Sequence, residues 1–200
     1  MRTLRLLPLL TLTILFSVSA AHANTITVSP TPVIAGVGPY NWFYGVTLEG
    51  DSQINTGDFF TIFDFEGYIS GTQQTTAAGW TGTSSLIGTC PAQDPFPALC
   101  AVADDPAVPN LTWTRTGGVI LGPGANNPAL VLGIFSAQSI FNETRNDFWT
   151  SQDQDNQNGI PNEGAGGNTN VPVAPIPEPA TLLLLGSGLA FAARMRKRVV

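Results

Sequence analysis

The sequence predicts an all-β domain, an antiparallel β-sandwich with a jelly-roll topology as its variant, set between two apolar ends. Two patterns predict it. Apolar and polar residues alternate with a period of two along several short stretches, and helical periodicity is almost absent. Gly, Pro, Asn and Asp punctuate those stretches, with 21 Gly and 16 Pro in 200 residues.

The strands follow in chain order. Tyr40–Leu48 alternates cleanly, with Tyr40, Trp42, Tyr44, Val46 and Leu48 on one face. Asp58–Glu66 is the next run; Phe59, Thr61, Phe63 and Phe65 share one face, and Asp58, Phe60, Ile62, Asp64 and Glu66 the other. A third strand is expected over 111–117, with Leu111 and Trp113 opposite a ladder of Thr112, Thr114 and Thr116. Leu130–Ala137 is apolar on both faces, as a central strand would be. Weaker strands are expected at 25–28, 119–121, 147–150 and 170–173. Two polar stretches read differently: 71–88 as a long loop or an irregular edge strand, and 151–168 as a loop or spacer with little to bury.

Charge narrows the function classes. The net charge is −6, but residues 24–176 carry thirteen acids against Arg115 and Arg145, and no Lys or His. A nucleic-acid partner is therefore not expected, since phosphate needs clustered Lys and Arg. Mechanisms built on a His base or a Schiff-base Lys have no residue to use in that span.

The two ends read as addresses. Residues 1–23 resemble a secretory signal peptide: Arg2 and Arg5, an apolar run over 6–18, then Ala21-His22-Ala23 as the small-x-small site for signal peptidase. The organisation expected is a signal peptide at 1–23, a β-sandwich at 24–170, a Pro-rich linker at 171–179, and a transmembrane helix with a basic tail at 180–200. The apolar segment 180–193 would be about 21 Å long as a helix, thin against a hydrocarbon core of about 30 Å. Spanning then needs local thinning and snorkelling Arg, with the basic cluster on the cytoplasmic side.

The tail over 176–198 resembles the PEP-CTERM sorting signal of Gram-negative bacteria. Pro177, Glu178 and Pro179, the apolar segment, and Arg194, Arg196, Lys197 and Arg198 carry the resemblance. It implies that an exosortase, a membrane-embedded sorting enzyme, reads the signal, cuts near the Pro-Glu-Pro and delivers the protein to the surface. Such proteins belong to bacteria that form exopolysaccharide, which is the partner it suggests. The stretches 40–48, 57–65 and 109–113 are also similar to a recurrent group of PEP-CTERM proteins. That likeness brings no activity with it.

Four sets of residues could carry chemistry in the domain. Cys90 and Cys100 bracket a loop with three prolines and are expected to form a disulfide, the usual state of a close pair in an exported chain. Asp64 and Glu66, two apart on one strand face and about 7 Å apart along it, meet the spacing of a glycoside hydrolase pair loosely. A solvated outer face is the expected role for them. Asp153 and Asp155 echo a calcium loop, but out of phase: the positions one, three and five residues before Gly159 are Asn158, Asn156 and Gln154. No metal site and no cofactor are expected. Trp80 and Trp149, in or near polar loops, are the candidates for stacking on sugar rings, while Trp42 and Trp113 are expected in the core.

The function expected is that of an exported, exosortase-sorted surface or matrix protein, non-enzymatic, passing through the inner membrane. A carbohydrate-binding or calcium-dependent glycan-binding module is the first rival, and a glycoside hydrolase-like enzyme on Asp64 and Glu66 the second.

Overall fold

A computed structural model describes residues 26–50, 52–92, 95–124, 127–155 and 164–175. Within them lie thirteen strands and one helix. The strands are β1 (Ile26–Val28), β2 (Val33–Ala35), β3 (Tyr40–Leu48), β4 (Ser52–Ile54), β5 (Phe59–Ile62), β6 (Gln74–Thr75) and β7 (Trp80–Ser85). After helix α1 (Phe96–Ala103) come β8 (Asn110–Arg115), β9 (Ile120–Leu121), β10 (Leu130–Ser139), β11 (Glu143–Gln152), β12 (Gln154–Asp155) and β13 (Ala165–Val173). The expected signal peptide at 1–23 and transmembrane segment at 180–200 lie outside the described residues. No helix among the described residues is long and apolar enough to cross a membrane.

All pairings are antiparallel. One sheet runs β1-β3-β10-β6, with β2 also on β3; the other runs β13-β11-β5-β8-β7. β12, β4 and β9 form a small third sheet. The two large sheets meet in a sandwich-like arrangement, as their sequence pattern predicted.

The core follows from the alternation. On β3 the buried residues are Trp42, Tyr44, Val46 and Leu48. They meet Phe60 and Ile62 of β5 and Leu111 and Trp113 of β8 across the sandwich. Phe60 stacks on Trp113 at 5.2 Å between ring centroids and takes the Phe135 edge at 4.9 Å. Trp80 closes the cluster against Phe135 at 5.4 Å. Polar seams tie the sheets together: the Tyr44 hydroxyl donates to Asn170 O, and the Thr169 hydroxyl to Ser29 O.

Several boundaries differ from the sequence expectation. β5 stops at Ile62 rather than continuing to Glu66, because Asp64 adopts φ 51°, a left-handed conformation that breaks the regular extended ladder. β10 is buried only at its C-terminal end. Val131 is 72% exposed and Ile134 47%, so this strand is not central along its length. The span 71–88 contains the edge strand β7, and 151–168 contains the end of β11, β12 and the start of β13. β13 ends at Val173, as the strand expected at 170–173 does, but begins five residues earlier, at Ala165, and so overlaps the expected linker at 171–179.

The helix was not expected. Pro95 sits at its N-cap and Pro97 in its first turn, where a missing N–H leaves no intrahelical bond unmade. Its buried residues are Phe96 and Cys100, one turn apart. Cys90 and Cys100 form the disulfide, with Cα atoms 6.4 Å apart. The segment around the helix covers the outer face of the second sheet. Thr112 of β8 donates to the Thr89 hydroxyl, and the buried Phe63 ring fills the space above Gly88.

Candidate functional site

Asp64 and Glu66, two of the acids singled out from the sequence, meet Arg145 at one end of the sandwich, where β13 leaves the domain. The strand break at Asp64 turns residues 64–66 towards β11. Arg145 on β11 reaches three carboxylates there: Asp147 at 2.8 Å, Glu66 at 3.2 Å and Asp64 at 3.4 Å. The expectation of a solvated outer face for Asp64 and Glu66 is thereby corrected. The Asp64 side chain is only 7% exposed and that of Glu66 21%. Asp105, in the loop after α1, closes on Asp64, and Arg145 and Ala174 close on Glu66.

Every carboxylate of this group is engaged. Asp64 Oδ1 accepts the Asp105 backbone N–H at 3.0 Å, and Asn110 Oδ1 accepts the Asp64 N–H at 2.9 Å. Asn110 Nδ2 donates to Asp104 Oδ1, and Asp104 Oδ2 accepts the Gly88 N–H. Glu66 Oε2 accepts the backbone N–H of Ala174 at 2.9 Å. Ser139 donates its hydroxyl to the Glu66 carbonyl at 2.6 Å, which fixes the backbone under that carboxylate.

The electrostatics follow from burial. Loss of hydration pushes the Asp64 carboxyl up to about 6. The Asp105 N–H and the Arg145 guanidinium pull it down, while Asp147 and Asp104 push it up. A raised carboxyl is one requirement of the hydrolase reading, but an open cleft around the pair is the other. The cleft at this end, about 350 Å³, is lined by Glu143, Thr144, Val173, Ala174 and Pro175. It lies beside the departing chain, and Asp64 is not part of its wall.

The remaining candidates lie elsewhere. Trp80 is 8% exposed and Trp149 5%, so neither offers a ring face to a sugar. Trp80 is held in the aromatic core, and Trp149 lies on β11 against Gly167 of β13. The large apolar side chains that are exposed among the described residues are all aliphatic. Asp153 is fully buried between β11 and β12, and the rest of the expected calcium-like loop, 156–163, lies outside the described residues. Among the described residues no group of three or more His, Cys, Asp or Glu is placed to hold a metal ion.

Arg145, Asn110 and Ser139 are the residues that sequence reading missed. Arg145 carried a signal, as one of two cations among the thirteen acids of 24–176. Asn110 and Ser139 carried none, since their roles depend on which strands meet.

The fold and this end of it define a β-sandwich whose last strand hands the chain directly to a processing signal. Residues 175–198 match the PEP-CTERM protein-sorting motif, so the chain carries that motif immediately after β13. The match takes in Pro177, Glu178, Pro179 and the Arg194 and 196–198 cluster, all outside the described residues. It marks the chain as an exported protein that an exosortase sorts, anchored at the membrane before it is cut. No curated protein matches the chain.

Proposed function

We propose that this chain is an exported β-sandwich that an exosortase releases or transfers to the cell surface or extracellular matrix, where it serves a non-enzymatic structural or interaction role. One observation carries the reading: the sorting motif at 175–198 starts two residues after the end of β13 at Val173. The domain is thus the cargo of the signal. Its acidic surface suits a hydrated polysaccharide layer, where net negative charge maintains solubility. The engagement of Asp64 and Glu66 by Arg145 supports a structural use of those carboxylates, since ion-pair networks also perturb carboxyl groups without catalysis.

The test is localisation of the full chain in a host with the sorting enzyme. Glu178→Ala, together with replacement of the basic cluster by Gln, is expected to move the protein from the surface or medium into the membrane or periplasmic fraction. An unchanged distribution would contradict the reading.

A further inference from the structure

We propose that Glu66, held by Arg145, is a latch on the root of the sorting motif that limits how fast the processing enzyme engages it. This rests on the reading above and adds a rate-controlling element in the domain.

The argument begins at Ala174. Its N–H is bound by Glu66 Oε2 at 2.9 Å, while Arg145 Nη1 holds the other oxygen of the same carboxylate at 3.2 Å. Arg145 is itself tied to Asp147 at 2.8 Å and paired with Asp64 at 3.4 Å, so the carboxylate cannot swing away freely. The β13 ladder runs to the same point, where Val173 is paired with Glu143. Pro177 lies three residues beyond Ala174, and three peptide units span no more than about 11 Å. A folded domain therefore stands within that distance of the Pro-Glu-Pro. An enzyme that binds an extended segment around its cut site must either abut the domain end or wait for residues 174–175 to come off it. The cleft lined by Glu143, Thr144, Val173, Ala174 and Pro175 marks where the chain departs.

A charge-assisted hydrogen bond at a part-buried site changes a local opening equilibrium by about tenfold or more. Glu66→Ala should therefore raise the rate of tail cleavage by about that factor. Glu66→Gln, which keeps an acceptor but loses the ion pair, should fall between. A six-residue Gly/Ser spacer inserted between Ala174 and Pro175 leaves both the Glu66–Ala174 contact and the 175–198 motif intact and should raise the rate at least as much.

The experiment is a pulse-chase of the full-length chain in cells with the sorting enzyme, reading loss of the tail by mass. Folding of each variant is checked by protease resistance. Faster cleavage of both Glu66→Ala and the spacer variant supports the latch. Cleavage of the spacer variant at the parental rate overturns it, and does so even where Glu66→Ala fails to fold. Failure of the parental chain to be cleaved at all would instead sink the sorting reading on which the latch rests.

Discussion

The Glu66 carboxylate joins two parts of the molecule: one oxygen lies 3.2 Å from Arg145 Nη1, and the other accepts the Ala174 N–H at 2.9 Å. The pair couples the ion network under the sheet to the point where the chain leaves it. Four expectations for stability follow from this network and from two other ties in the fold.

The first is a pH dependence with a defined sign. Asp64 titrates near 3.8 when unfolded and near 6 when folded. The native state thus binds more protons in that window, and stability falls as pH rises from about 4 to about 6. At about 1.4 kcal/mol per unit the loss is at most about 3 kcal/mol. Asp58 is raised by burial and adds in the same direction. Asp64→Asn should flatten this slope in urea titrations at pH 4, 5, 6 and 7. Asn also suits the φ of 51° at this position.

Removal of Arg145 should act in the opposite sense at neutral pH. Arg145→Ala leaves three carboxylates facing one another, and the loss expected is about 2 kcal/mol at pH 7. At pH 4, with Asp64 protonated, the loss should shrink. Arg145→Lys should restore little, because one ammonium cannot reach three acids as a guanidinium does. Denaturation midpoints at the two pH values check this.

Arg115 is the second interior cation, and it is bound differently. Its guanidinium donates to the carbonyls of Ala78, Gly79 and Gly118 and lies 5.9 Å from the Trp80 ring centroid. Among the described residues it is in no ion pair within 4 Å. Arg115→Met should cost about 3 kcal/mol by removing the donors to the Ala78 and Gly118 carbonyls, with little dependence on salt; the Gly79 carbonyl keeps the Thr116 and Gly117 N–H groups. A strong salt dependence of the loss would contradict this role.

The disulfide closes an 11-residue loop that takes in the first five residues of the helix, Phe96–Cys100. In the chain-entropy model that closure contributes about 3 kcal/mol. A Cys90→Ser/Cys100→Ser double variant should lose about that much in thermal or urea unfolding. Cys100 is buried in the helix, so part of the loss should come from packing.

How far this was legible in the sequence depends on the element. β3 was readable to its exact bounds, since period-two alternation with large apolar residues leaves one face to bury. β5 was readable only to Ile62. Nothing in the alternation warns that Asp64 goes left-handed, because that conformation is fixed by Asn110 and Asp105 from distant parts of the chain. The helix was hidden by its prolines, which read as loop although both positions tolerate them. Trp80 and Trp149 looked accessible from their polar neighbours, but Trp80 opens an otherwise exposed edge strand and packs into the aromatic core, and Trp149 begins the buried stretch 149–151 of β11. The sorting motif was fully legible, because its order of Pro-Glu-Pro, apolar segment and basic cluster is local and needs no tertiary contact.

Intact mass of the protein recovered from medium and membranes, with the sorting enzyme present and absent, tests the central claim most directly. The account predicts an enzyme-dependent species that begins at Asn24 and ends near residues 177–179. A membrane-bound species with a complete tail, the same in both backgrounds, would contradict it.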